Sequence, residues 1–302
     1  EKWQRLVGAT LDRLVTCRDP AELPTHSNRL RNHFDRLFDT PTTIPQLRQT
    51  ILQLAVRGQL VPQDLDDEPV CQLLLRNDEQ RRQTSQHDRR ADAQNEPLLS
   101  IEDTWGIPDT WSWRALADLV LFVDYRGKTP TKISSGVRLL TAKNVRKNQI
   151  NISPEEFLSE QDYTDWMTRG FPQLGDVLFT TEAPMGNAAV VDLTEKFALA
   201  QRVICFQNYG AVDPAFLVFQ ILSETFQFIL DKNGTGVTAK GIKASKLRQL
   251  PIAVPPLTEQ KRIVTKVTEL LSLCDALEAK LTQAESASTQ LLFAAVHAIL
   301  GP

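Results

Sequence analysis

The sequence predicts an α+β fold, in which one mixed α/β domain is flanked by long helical segments. Three observations carry this. In the last fifth of the chain Ile263, Val267, Leu270, Cys274, Leu277, Leu281, Ala284, Ser288, Leu291 and Ala295 alternate steps of four and three, the spacing of a coiled-coil seam. The middle, from about Glu96 to Pro255, gathers Trp105, Trp111, Trp113 and Trp166 with short apolar runs separated by turn residues, as strands require. The opening, to about Asn95, carries helical periodicity. The expected division is residues 1–95 helical, 96–255 the α/β domain and 256–302 a long helix.

Helices are expected at Lys2–Cys17, at Ser27–Phe38 with Leu30, Phe34 and Leu37 on one face, at Thr43–Val56, and from Pro69 to about Gln80. Thr43 can cap the third and Gly58 can end it. The stretch Asn77–Asn95, almost wholly charged and amide residues, reads as a solvated helix end or mobile linker. Strands are expected at Trp113–Leu116, Leu119–Val123, Gly136–Leu140, Val177–Thr180, Ala188–Val191 and Arg202–Phe206, and a helix at Pro214–Leu230. Pro255 and Pro256 forbid helix before them; Thr258 is a good N-cap, and the helix dipole favours Glu259 in the first turn. A rod of roughly 40 residues reaches about 60 Å and must pack along another helix.

At 302 residues and 42% hydrophobic the chain can hold one large or two ordinary domains. No apolar run approaches a membrane span and no signal-peptide pattern opens the sequence. It begins at Glu1, already inside a helical pattern, which suggests a fragment or processed chain. Cys17, Cys71, Cys205 and Cys274 are single and far apart, which fits a reducing cytoplasm and neither a disulfide framework nor a zinc site. The histidines are equally scattered.

The formal charge of −3 opposes a protein that coats nucleic acid everywhere, but charge is unevenly placed. Arg126, Lys128, Lys132, Arg138, Lys143, Arg146 and Lys147 stand against Asp124 alone between Phe122 and Ile150, and Lys232, Lys240, Lys243, Lys246 and Arg248 stand with no acid between Lys232 and Arg248. Acidic runs compensate at Asp64–Glu68 and Glu155–Asp165. Local basic loops on an acidic chain point to a confined anionic partner, DNA before others, with a solvated charged face as the alternative.

Catalytic signatures are missing from the sequence. There is no phosphate-binding Gly loop, nucleophile elbow, metal-ligand spacing or Asn-Pro-Pro-aromatic motif of an amino-methyltransferase. Gly234-Thr-Gly236 beside Lys240-Gly-Ile-Lys243 can bring backbone amides near an anion, a weak signal because most such loops are turns.

Six stretches, in order, resemble the specificity subunit of type I restriction–modification systems. They are Leu47–Pro62 (Leu-Arg-Gln-Thr-Ile-Leu-Gln-Leu-Ala-Val-Arg-Gly-Gln-Leu-Val-Pro), Pro108–Trp113 (Pro-Asp-Thr-Trp-Ser-Trp), Arg126-Gly-Lys-Thr-Pro130, Leu174-Gly-Asp-Val-Leu-Phe-Thr-Thr181, Gly234–Ile242 and Leu250–Val264 with its Pro-Pro-Leu-Thr-Glu-Gln-Lys-Arg-Ile-Val block. The last block, leading into a long coil, is the most specific.

The resemblance implies two target-recognition domains held apart by long helical regions that pair as an antiparallel coiled coil, each domain reading one half of a split double-stranded DNA site. This chain shows one such domain, so it resembles the C-terminal half of a longer subunit, or a half-size version that would self-associate. The family's mechanism is delegated: a partner adenine-specific methyltransferase subunit holds S-adenosylmethionine and methylates a flipped base, and an ATP-dependent restriction subunit adds cleavage in the full complex. No cofactor or metal is implied on this chain, and no catalytic residue.

Within that frame Lys128, Lys143, Lys147 and Lys240 are candidates for the phosphate backbone, with Arg126, Lys243 and Lys246 beside them. Asn144, Arg146 and Asn187 are candidates for base edges, and Tyr125 for stacking or an apolar contact. Leu271, Leu273, Leu292 and Phe293 exceed what one heptad seam needs and are candidates for docking the methyltransferase, although a wider bundle would use them too. A coiled-coil adaptor whose α+β domain binds protein is the alternative.

Overall fold

A computed structural model describes residues 2–17, 22–87, 96–99, 105–125, 130–236 and 240–300. The helices are α1 (Lys2–Thr16), α2 (Leu23–Asn32), α3 (Phe34–Leu37), α4 (Ile44–Val56), α5 (Val70–His87), α6 (Leu116–Leu119), α7 (Glu160–Trp166), α8 (Pro214–Leu222), α9 (Glu224–Asn233), α10 (Ala244–Leu247) and α11 (Leu257–Leu300). The strands are β1 (Ser112–Ala115), β2 (Val120–Asp124), β3 (Val137–Leu140), β4 (Val145–Arg146), β5 (Gln149–Ile150), β6 (Phe157–Leu158), β7 (Val177–Thr180), β8 (Ala188–Val190), β9 (Phe197–Leu199), β10 (Val203–Asn208) and β11 (Pro251–Val254). The class is α+β, as the sequence predicts. The chain divides into two compact units, residues 1–55 with 265–302, and residues 56–264.

The first unit is helical. α1 buries Val7, Leu11, Leu14 and Val15, a stripe at helical spacing, and packs against α2. The expected Ser27–Phe38 helix is broken at His33, whose φ of −120° leaves the helical region. A 3-10 turn at Pro41–Thr43 precedes α4, so Thr43 does not cap that helix; its hydroxyl donates to the Thr40 carbonyl at 2.8 Å. α4 buries Ile44, Ile51, Leu52 and Ala55. Its Arg48 reaches Asp275 at 2.7 Å and Glu278 at 2.5 Å on α11. Along α11 Val267 and Cys274 are buried, Leu270, Leu277 and Leu281 are partly covered, and the described side chains from Thr282 onward are exposed.

The second unit is built on two sheets. The larger is antiparallel in the order β2-β10-β7-β8; the smaller, β6-β3-β9, pairs β3 with β9 in parallel. Leu121, Val123, Leu178 and Cys205 from the larger sheet share one core with Leu139, Leu158 and Leu199 from the smaller. The alternate residues Phe122, Phe179 and Phe206 form an aromatic cluster, with ring centroids 4.8 and 5.6 Å apart, because successive strand residues face opposite sides. α8 packs against β8. Both faces are thus covered, so β7 reads as a continuous apolar run, not an alternating one. Two-stranded pairs β1-β11 and β4-β5 complete the unit.

The expected Pro214–Leu230 helix is two helices. Ser223 is extended (ψ 144°), and its side chain accepts from the Phe226 amide as the N-cap of α9. Asp213 caps α8 through the Ala215 and Phe216 amides, with Pro214 at the first position, a favoured start. Helix α5 runs to His87, and its polar sequence is not uniformly solvated. Arg81 is buried and paired with the equally buried Asp118, whose carbonyl also takes the Asn77 side chain at 2.8 Å. Residues 88–95 of the expected linker lie outside the described residues.

Pro255, Pro256, Glu259 and Gln260 are buried and form a clasp. Glu259 Oε1 accepts from Trp111 Nε1 at 3.1 Å and from Gln63 Nε2 at 3.0 Å. Gln260 donates to the carbonyls of Ala211 and Pro255, both at 2.9 Å, and accepts from the Asp213 amide at 2.6 Å. The helix begins at Leu257, so Thr258 lies inside it; its hydroxyl donates to Asp67. Gly58 follows α4 with φ +68°, the left-handed conformation expected of a helix-ending glycine, and a Cβ there would meet Pro108 Cγ at 2.5 Å.

Candidate nucleic-acid interface

Loops of the second unit bring the basic residues together. The loop between β7 and β8 folds back on itself: Thr180 Oγ1 donates to the Pro184 carbonyl at 2.6 Å, and the Gly186 amide donates to the Thr180 carbonyl at 2.9 Å. At Gly186 φ is +87° and an added Cβ would lie 2.7 Å from Leu230 Cδ2, so the turn accepts only glycine without strain. On one side the Thr181 amide donates to the Arg202 carbonyl at 3.0 Å; on the other its carbonyl accepts from the Ile242 amide at 3.0 Å. Thr181 therefore joins the turn between β9 and β10 to the segment carrying Lys240 and Lys243.

The β4–β5 hairpin is fastened to the same loop. Asn148 takes the left-handed position of its tip, φ 59°, which asparagine tolerates, and its amide donates to the Ala188 carbonyl at 2.8 Å. Arg146 and Lys147 stand exposed on this hairpin, and Lys143 is exposed just before it.

Three candidates are structural. Asn144 is buried: its Oδ1 accepts from the Thr141 amide and hydroxyl, both at 2.9 Å, and its Nδ2 donates to the carbonyls of Asn151 at 2.9 Å and Pro154 at 3.1 Å. That uses the capacity of a side-chain amide, which leaves nothing for a base edge. Asn187 is buried too, its Nδ2 donating to the Val145 carbonyl at 2.9 Å, so it holds the hairpin to the loop. The Tyr125 ring packs 5.7 Å from Trp166 and its hydroxyl donates to the Gly170 carbonyl; it is a core residue and cannot stack on a base. Arg126 and Lys128 lie outside the described residues.

Part of the basic surplus is neutralised within the chain. Lys132 pairs with Glu156 at 2.7 Å; Arg138 pairs with Glu195 at 2.8 Å and Glu155 at 3.3 Å, while its guanidinium lies over the Phe157 ring. The hydrogen bonds to Glu195 and then Glu155 hold the Arg138 pKa above its ordinary value. Lys240 pairs with Asp231, and Arg248 with Glu96, both at 2.6 Å. Lys143, Arg146, Lys147, Lys243 and Lys246 are exposed and have no ion-pair partner among the described residues. In the Gly234–Gly236 loop two of the expected amides are taken, Gly234 by the Asp231 carbonyl at 3.2 Å and Thr235 by the Gly241 carbonyl at 2.8 Å.

A groove of about 280 Å³ opens beside these residues, lined by Lys132, Thr141, Ala142, Lys143, Glu156, Ala183, Ala200, Gln201 and Arg202. Gln201 and Arg202 were not among the sequence candidates. Arg202 was expected to start a strand; β10 begins one residue later, so both side chains sit on the exposed turn. The signal available in the sequence was a polar pair between the apolar runs of β9 and β10, which marks a turn but not what the turn faces.

Residues 109–285 match the family described as the type I restriction modification DNA specificity domain. The chain is 30% identical over 286 residues to the type I restriction enzyme EcoAI specificity subunit of Escherichia coli, covering 91% of this chain and 48% of that protein. It is 27% identical over 315 residues to the EcoEI specificity subunit of the same organism, covering 98% and 52%. It therefore spans about half the length of these relatives. A solved chain from work on complex assembly and conformational transition of the type I R-M system shares the fold, with TM-score 0.50 at 17% identity over 82% of this chain and 57% of that one. The match over residues 109–285 and the 30% identity to a specificity subunit lead to one conclusion: this chain belongs to the DNA specificity family of type I restriction–modification systems.

Proposed function

We propose that this chain is a sequence-reading, non-catalytic component of a type I restriction–modification complex, in which its α+β domain reads one half of a bipartite double-stranded DNA site. The observation that carries the reading is the gathering of Lys143, Arg146, Lys147 and Lys243, none with an ion-pair partner among the described residues, on loops hydrogen-bonded to one another through Thr181 and Asn187. Cations without internal partners suit phosphates, and a rigid loop cluster suits base reading.

Chemistry belongs to partners in this reading: an adenine-specific methyltransferase subunit that holds S-adenosylmethionine, and an ATP-dependent restriction subunit where the system cleaves. The helices flanking the domain pair as an antiparallel coiled coil that sets the spacing of the half-sites. Leu273, Leu292 and Phe293, at 60%, 66% and 71% exposure, dock the methyltransferase; Leu271 is partly covered and stands at the margin of that surface. A half-size chain would self-associate to supply the second half-site reader. No helix among the described residues is long and apolar enough to cross a membrane, and the scattered thiols suit the cytoplasm.

The test is base-resolved methylation mapping in cells carrying the full gene for this chain with its neighbouring methyltransferase, against the methyltransferase alone. A split motif that depends on this gene is the expected result. Its asymmetry would mean two different recognition domains, and a palindrome would mean a half-size homodimer. Soluble, co-purifying subunits that leave no motif would reject sequence reading and favour the adaptor.

A further inference from the structure

We propose that Gln201 and Arg202, at the tip of the β9–β10 turn, are base-reading residues of this domain, presenting an amide and a guanidinium to base edges in the major groove. The inference rests on the DNA-reading function proposed above and assigns the side chains that perform it.

The turn is built to hold its side chains still. The Val203 amide closes it on the Ala200 carbonyl at 3.1 Å, and the Arg202 carbonyl accepts from both the Thr181 amide at 3.0 Å and the Thr181 hydroxyl at 3.3 Å. Both side chains are exposed. Gln201 has no side-chain hydrogen bond among the described residues, so its amide keeps a donor and an acceptor for a ligand. Arg202 makes one loose ion pair, to Glu182 at 3.5 Å with half of its side chain exposed, which orients the guanidinium without closing its fork.

Chemistry around the turn fits base pairs. Gln satisfies adenine N6 and N7 at two points, Arg does the same for guanine O6 and N7, and alanine methyls suit the thymine methyl. Ala142, Ala183 and Ala200 line the groove beside Gln201 and Arg202. Lys132 and Lys143 line it as well, and Lys143, with no ion-pair partner among the described residues, suits a phosphate. Concave position and open side-chain hydrogen-bonding capacity thus coincide at this turn, whereas Asn144 and Asn187 are buried.

Methylation mapping of the full complex tests the assignment with Gln201→Ala, Arg202→Ala, Arg202→Lys and Lys143→Ala. Gln201→Ala and Arg202→Ala are each expected to relax base preference at one position of a single half-site by about tenfold or more, as for loss of a two-point contact. Arg202→Lys keeps the charge but loses the planar fork and relaxes the same position. Lys143→Ala lowers methylation at every site without changing the motif. If all three turn variants retain the wild-type preference at every position while the wild-type motif is intact, the assignment is overturned and the reading function stands. If the wild-type complex itself leaves no motif, both fall.

Discussion

Residue type identifies chemistry, while burial decides what that chemistry serves. Asn144 and Arg81 make the point from opposite sides: an amide expected to read DNA is fully engaged with backbone, and an arginine from an apparently solvated stretch lies buried against Asp118. Burial holds the Asp118 pKa above its usual value despite the guanidinium beside it. Removing one partner of such a pair leaves the other charge uncompensated, so Arg81→Ala is expected to cost about 3 kcal/mol or more in urea unfolding, and Arg81→Met with Asp118→Leu to recover most of it. The clasp residues Glu259 and Asp67 titrate in opposite senses. Burial raises Glu259 above its ordinary 4.5, outweighing the bonds from Gln63 and Trp111. Its contribution to stability is complete below that pH and is lost as pH rises through the higher folded value. The hydrogen bond from Arg262 lowers Asp67 below its ordinary 3.8, so its contribution is present above that pH and lost as pH falls through the lower folded value. Unfolding midpoints measured across acidic pH should therefore show Glu259→Gln flattening the decline on the rising side and Asp67→Asn flattening it on the falling side.

Elements show where local signals suffice and where they do not. Heptad spacing and paired prolines predict α11, and 44 residues make a rod of about 66 Å. They do not predict which stretch of the seam is covered, because that depends on which other segments lie beside it. In this chain coverage fades past Leu281, leaving Leu291, Leu292, Phe293, Val296 and Ile299 exposed, an apolar row that a partner in the complex is expected to cover. Accordingly, Leu292→Glu with Phe293→Glu should reduce co-purification with the methyltransferase while leaving the melting temperature of this chain unchanged; an unaltered complex would remove the docking assignment. The division of the long apolar run at Ser223 was legible only weakly: serine is neutral inside a helix and favoured as a cap. Packing chose the cap, because Phe226, Ile229 and Leu230 on α9 are buried together with Phe216 and Leu217 on α8.

For the molecule as a whole, the net charge of −3 hides an arrangement in which acidic and basic runs distant in sequence neutralise each other. Glu155 and Glu156 meet Arg138 and Lys132, and Glu96 meets Arg248, leaving Lys143, Arg146, Lys147, Lys243 and Lys246 without an ion-pair partner among the described residues. DNA affinity should therefore fall steeply with salt, and Lys143→Ala or Lys243→Ala should each reduce the slope of log K against log salt by about one; binding that ignores salt would favour a protein partner. The sequence by itself determined the α+β class, the order of helical and strand-bearing segments, the heptad rod and the family, since these depend on periodicity, turn chemistry and ordered motifs that survive without coordinates. Only the tertiary structure decided which polar residues are free. A hydrogen-bonding side chain does not carry its partner's identity in its own codon, so the withdrawal of Asn144, Asn187 and Tyr125, the pairing of Lys132 and Arg138, and the exposure of Gln201 and Arg202 became visible once distant segments were brought together.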